Sequence, residues 1–187
     1  MRLILLGLWL SALLACAADR DPGVRRESSA DSVTVWKRQI NDSLVRAALR
    51  EDGARLEFRW VIRVDSAPPQ DEASLFDPVM RQWLILNDTV VLDLSQVDGV
   101  GIGVGTSGTP VILELGMAAG DRFLSSTTRH VGSHLAVVLN GHLLVAPVPV
   151  VQTPLGGTVP VVHGVDSAIA RELAERLRSA LPESGSP

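Results

Sequence analysis

A single cysteine, Cys16, is the only thiol in the chain, so no intramolecular disulfide can brace whatever fold it adopts. A domain without such staples is held by its apolar core alone. The composition allows this, because 46% of the 187 residues are hydrophobic although only 4% are aromatic. That length suits one core rather than two.

The position of the cysteine carries a second message. Residues 1–16 read MRLILLGLWLSALLAC. Arg2 is a minimal basic start, and residues 3–15 form an uncharged apolar run. The run is shorter than the roughly 20 residues that span a bilayer. It has the length of a secretory h-region, with the small Ala15 just before the expected cut. Leu13-Leu14-Ala15-Cys16 resembles the lipobox of bacterial lipoproteins, in which the cysteine thiol takes a diacylglycerol and becomes the new N-terminus. The resemblance implies a signal peptide over residues 1–15 and lipidation at Cys16. It also implies a place in the cell envelope, anchored by lipid and facing the periplasm or the cell exterior. Several acyl chains, at about 0.8 kcal/mol per buried methylene, would make that anchor effectively permanent. Loss of Arg2 with the leader takes the 17 basic residues to 16 against 21 acidic, a net charge of −5. That balance argues against a nucleic-acid partner, which a basic face would announce.

Residues 16–30 are polar and without apolar periodicity, which predicts a flexible tether; residues 183–187 predict a disordered tail. Between them, residues 31–182 read as one domain. Val33, Trp36, Ile40, Leu44, Ala47 and Ala48 recur at helical spacing over Asp31–Arg50. Leu56, Phe58, Trp60, Ile62 and Val64 alternate with Glu57, Arg59 and Arg63, the pattern of a half-buried strand. Residues 65–78 read as a loop and Gln82–Leu86 as a short strand. Further strands are expected at Val97–Val104, Pro110–Leu115, Leu135–Leu139, His142–Val148 and Thr158–Val162. Asn140-Gly141 between two of them is a strong two-residue hairpin signal. Met117–His130 reads as a helix with Phe123 on its apolar side. Asp166 is placed to cap a last helix with Ile169, Leu173, Leu177 and Leu181 in one stripe, and with Glu172 spaced to pair with Arg176. The expected class is α+β, a largely antiparallel sheet with helices packed on it.

Candidate chemistry is sparse. Gly103 to Gly108 spells G-x-G-x-x-G, but a strand follows at Pro110 where a phosphate-binding helix N-terminus would have to begin. A glycine-rich hairpin accounts for the run. His130 and His134 are four apart, yet Gly132 interrupts them; neither they nor His142 and His163 have a sulfur ligand or tight carboxylate cluster beside them. No metal or cofactor is expected, and His130 reads as a partner for a helix C-terminus. Ser125, Ser126, Thr127 and Thr128 read as a solvated helix face, and Asp71, Glu72 and Asp77 as ordinary loop surface. Neither that hydroxyl cluster nor Ser107 sits in a nucleophile elbow. No residue earns a catalytic role, so a binding protein rather than an enzyme is expected.

Residues 132–147, GSHLAVVLNGHLLVAP, resemble the periplasmic head domain of the SecD/SecDF protein-export family. There a helix ends in Val-Gly, an apolar strand follows, and an Asp-Gly or Asn-Gly turn leads into a strand ending in Ala-Pro. Val111–Leu115 and Phe123 resemble the preceding strand and helix. Pro154, Gly156 and Gly157 resemble the family's Pro-x-x-Gly-Gly loop. Gly164 and Asp166–Leu177 resemble its closing helix, with Ala170, Arg171, Leu173 and Ala174 matching. The likeness is clear over Val97–Leu181 and fainter over Leu56–Leu86. Ser126 departs from it, standing where the family has an apolar residue. The charged membrane helices of the family's proton-driven motor have no counterpart here, so the resemblance implies a stand-alone, lipid-anchored head. The family's head holds unfolded polypeptide outside the membrane, which implies polypeptide or Sec translocon components as partners. A small-molecule or cell-wall-ligand binding lipoprotein on the same fold is the alternative.

Overall fold

The computed structural model describes residues 29–69, 73–105 and 108–182; the leader, Cys16, the expected tail, Asp71, Glu72 and Ser107 lie outside these. The helix expected first is α1 (Ser29–Leu49), and the alternating segment is β1 (Leu56–Asp65). They are followed by β2 (Ser74–Asp77), β3 (Gln82–Asp93), a 3-10 turn at Leu94–Gln96, β4 (Val97–Ile102) and β5 (Thr109–Leu115). The rest of the chain forms α2 (Met117–Arg129), β6 (Leu135–Leu139), β7 (His142–Leu143), β8 (Thr158–Val165) and α3 (Ser167–Ser179). Every strand pairing is antiparallel, and the class is α+β as expected. The strands divide into two sheets, of order β2-β3-β1-β6-β7 and β4-β5-β8.

The five-stranded sheet is apolar on both faces. On one, Phe58, Leu92, Val137 and Leu139 meet Val111, Leu113 and Val161 of the second sheet, together with Phe123 of α2 and Ile169, Leu173 and Leu177 of α3. On the other, Leu84, Leu86, Ala136, Val138 and Leu143 are covered by Ile40 and Leu44 of α1 and by Leu75 and Val79. Burial on both sides explains why β6, Leu-Ala-Val-Val-Leu, has no polar alternation.

Several sequence-based boundaries shift for identifiable reasons. The segment expected to be a loop up to Pro78 contains β2, an edge strand paired with β3. The strand expected to stop at Leu86 runs on to Asp93. Asn87-Asp88-Thr89 reads as a terminator, but it forms a bulge: Arg59 pairs with Val90 and Val61 with Leu86, leaving three residues opposite Trp60. Asn87 Oδ1 accepts the Thr89 N–H at 2.8 Å, and Arg59 Nη1 donates to the Asn87 and Asp88 carbonyls. In α1 the apolar stripe is covered only from Ile40 onward; Val33 and Trp36 are 50% and 46% exposed.

Two turns fasten the helices to the sheets. Asn140 and Gly141 adopt φ of 52° and 80°, the left-handed pair that a tight hairpin needs. Asn140 Oδ1 accepts the Arg55 N–H at 2.8 Å, and its Nδ2 donates to the carbonyls of Ala48 and Gly53. Asp166 caps α3 as expected, accepting from the Ala168 N–H at 2.8 Å. Arg176, however, does not serve Glu172. Its guanidinium donates to the carbonyls of Leu49, Glu51 and Gly53 at 3.1–3.3 Å. Leu49 ends α1, and Glu51 and Gly53 lie in the turn that follows it, so the guanidinium ties the helix end to α3.

Glu57, expected to face water, is buried between Arg55 and Arg59, with Nε–Oε distances of 2.6 and 2.7 Å. Burial pushes its pKa up, but the hydrogen bonds and charges of Arg59 and Arg55 outweigh that. The carboxyl is held below its ordinary 4.5. A depressed native pKa adds stability at neutral pH, and the gain is lost as pH falls through the native value. Glu57→Gln should therefore cost about 1–2 kcal/mol in urea unfolding at pH 7, the gap to wild type closing in acid below the ordinary value. Asn140→Ala, which removes three hydrogen bonds and a residue tolerant of positive φ, should cost about 2–4 kcal/mol at any pH in that range.

Candidate functional site

Where the two sheets part, an apolar cavity of about 240 Å³ opens between β1 and β6 on one side and β8 on the other. Phe58, Val137, Val159 and Val161 line it, and Pro149, Val150, Gln152, Thr153 and His163 also border it. Phe58 is set by an edge-to-face contact with Phe123 of α2, 5.8 Å between ring centroids at 79°. A second depression of about 440 Å³ runs between Thr34, Lys37, Arg38 and Asn41 of α1 and the chain at Val145–Val150. The two share Val145, Pro149, Val150, Gln152 and His163. They adjoin at these residues, an apolar recess beside a longer groove. Its rim is cationic at Lys37 and Arg38.

The wall common to both is residues 144–152, and its construction departs from expectation. Only His142 and Leu143 of the expected His142–Val148 strand pair as β7. Beyond them the chain stays buried without a continuous ladder, through a cis peptide at Ala146-Pro147. Its side chains divide between two clusters: Leu144, Val145 and Val151 enter the core between the sheets, Ala146 and Val148 the cluster beneath α1. Pro147 has no N–H, and the two N–H groups flanking it are met by buried side chains from elsewhere. Asn41 Oδ1 accepts from Ala146 at 3.0 Å, and Asp77 Oδ2 from Val148 at 3.0 Å. Asp77 Oδ1 also accepts from Val79 and Met80 at 2.9 and 3.0 Å. Asp77, expected on the surface, is fully buried. Its carboxylate does structural work that three backbone donors require.

The far end of the wall is held by α2. Gly132 N–H donates to Val151 C=O at 2.8 Å, and Val151 N–H to Ser133 C=O at 2.9 Å. Thr127, also expected to face solvent, is fully buried. Its hydroxyl lies 2.9 Å from Phe123 O and 3.0 Å from Leu155 O, and accepts from Leu155 N–H. The Pro154–Gly157 loop crosses α2 backbone to backbone. A Cβ on Gly156 would lie 3.1 Å from Gly120 O and 3.0 Å from Leu124 Cβ.

The remaining candidates disperse. His130 caps the C-terminus of α2, with Nδ1 2.8 Å from Ser126 O and its ring stacked 4.5 Å above Trp60. His134 bridges to Val150, His142 lies 3.9 Å from Glu51, and His163 borders the groove. Among the described residues no three His, Cys, Asp or Glu converge on a possible metal position. The Thr128 hydroxyl is engaged with Leu124 O, and Ser125 is exposed. Gly103 N–H donates to Pro110 C=O at 2.9 Å, and β5 follows as the strand that the glycine-rich hairpin reading requires. Sequence reasoning missed the groove and the roles of Asn41 and Asp77. Removing the latter leaves three donors short of a partner, one of them fully buried; Asp77→Ala should cost about 3 kcal/mol or more in equilibrium unfolding.

Comparison with known proteins bears on what this groove belongs to. No curated protein sequence matches the chain. A solved structure of SecDF, described as a membrane component that enhances protein export, superposes with a TM-score of 0.53 at 21% identity. The match covers 86% of this chain and 71% of that one. SecDF in its super-membrane-facing form gives 0.54 at 22% identity over 82% of this chain, which spans only 21% of that protein. Likeness at these identities is one of fold. Residues 72–182, more than half of the chain, match the model of one family, the SecDF P1 head subdomain. The chain belongs to the SecDF P1 head subdomain family.

Proposed function

We propose that this protein is a lipid-anchored, extracytoplasmic head domain that binds polypeptide, or an envelope partner, in connection with protein export, and that it catalyses no reaction. The observation that carries the reading is the apolar recess and, adjoining it, a longer depression with Lys37 and Arg38 on its rim. Such a shape suits an extended chain that places one apolar side chain in the recess and runs its backbone along the wall. β8 borders the recess and ends the three-stranded sheet, so its outer edge offers peptide groups to an added strand. Family membership supports a link to export, and the solved relative is described as enhancing it. No helix among the described residues is long and apolar enough to cross a membrane; attachment in this reading comes from the lipid at Cys16.

The alternative of a small-molecule binding lipoprotein fits less well. The apolar recess is small, about 240 Å³, and the depression beside it, about 440 Å³, is open and rimmed by charged side chains instead of closing over an occupant.

Photo-crosslinkers at Val150 and Gln152 should capture an unfolded secretory polypeptide, and one at Glu175, exposed on α3, should not. Val150→Asp, at a residue 41% exposed on the groove's border, should weaken capture about tenfold. It should leave stability within about 0.5 kcal/mol of wild type. Capture at Val150 no greater than at Glu175 would refute the reading.

A further inference from the structure

The first turns of α1 carry a feature that the groove leaves unused. Every residue from Val33 to Gln39 is exposed, although Thr34, Lys37 and Arg38 also border the groove. The stripe that packs at Ile40 and Leu44 continues outward through Val33 and Trp36 without a cover among the described residues. Val35 is exposed as well, at 54%. The cations Lys37 and Arg38 follow immediately. Trp beside aliphatic and cationic residues on an exposed helical segment is the composition that favours the boundary between lipid headgroups and acyl chains.

Two further facts fix the occupant. Residues 17–28 separate Cys16 from the start of α1, and even fully extended they span no more than about 45 Å. A lipid on Cys16 therefore keeps this end of the helix within reach of a bilayer. Charge is also divided along the chain. Residues 17–38 hold five basic and four acidic residues, whereas residues 39–187 hold 11 and 17. An anionic surface thus attracts the exposed end and repels the body. A second copy of the chain is a poorer fit. Three exposed apolar side chains fall well short of the roughly 800 Å² per partner of a standard interface.

We propose that Val33–Arg38 seats in the headgroup layer of an anionic phospholipid bilayer and holds the polypeptide groove against the membrane surface. The proposal rests on the lipid-anchored reading for its geometry. Thr34, Lys37 and Arg38 border the groove from the same turns. Seating them at the bilayer places one end of the groove where a chain emerging from the membrane would first meet it.

The test uses the full chain, purified from membranes and reconstituted in vesicles of equal parts phosphatidylethanolamine and phosphatidylglycerol, with or without bromine on the acyl chains. The difference between wild type and Trp36→Phe isolates the emission of Trp36 from that of Trp60 and Trp83, and of Trp9 on any chain that keeps its leader. That difference signal should be blue-shifted and quenched at least about twofold by brominated lipid. Trp36 emission indifferent to bromine overturns the proposal. Mass spectrometry of the same sample separates the two ideas. Acyl chains on Cys16 with unquenched Trp36 leave the anchor standing and remove the seat. Quenched Trp36 on a chain without acyl groups does the reverse.

Discussion

Two hydrogen bonds at Pro147 bear on nearly everything else in the domain. The chain there is buried yet belongs to no continuous ladder, so its N–H groups need partners that neither sheet supplies. Asn41 of α1 takes one and Asp77, at the end of β2, takes the other. These two contacts join the first helix, an edge strand and the segment after β7, elements more than 70 and more than 100 residues apart in sequence. They also fix which way the segment's side chains point. Ala146 and Val148 pack under α1, while Leu144, Val145 and Val151 join the core between the sheets. The groove wall follows from that division.

A wall fastened along its length is a preformed site. At one end Asn41 and Asp77 hold it; at the other, Gly132, Ser133 and Thr127 hold residues 151–155. Opposite stands β8, an edge strand with a proline at position 160. Binding to such a surface spends little free energy on ordering the protein. In the proposed reading it would also tolerate varied sequences, because main-chain edges and one apolar recess ask little of a partner beyond extension and a side chain to insert. Those are the demands an unfolded polypeptide meets.

What the sequence made legible was local. The Asn140-Gly141 turn, the Asp166 cap and the α3 stripe each depend on a few neighbouring residues, and each is found as read except that α3 ends before Leu181, which packs against the core from beyond it. The family likeness was legible for the same reason, since it rests on turn glycines, a proline loop and a helix pattern. The misreadings share the opposite cause. Asn87-Asp88-Thr89 looks like a strand end until Arg59, from another strand, satisfies its carbonyls. Asp77 and Thr127 look solvent-facing until a distant segment docks on them. Arg176 has a helical partner at the right spacing, and three carbonyls at and just beyond the end of α1 win it instead. The groove was invisible because its lining comes from α1, β1, β6, β8 and the intervening wall. No short window of sequence holds more than a fragment of it.

The most direct measurement is a titration of the isotopically labelled full chain with an unfolded secretory polypeptide, followed residue by residue through amide chemical shifts. The account predicts that the shifts concentrate on residues 34–41, 145–153 and 159–163, on both sides of the groove, while α3 stays unchanged. Shifts scattered over the surface, or centred away from those three segments, would contradict it.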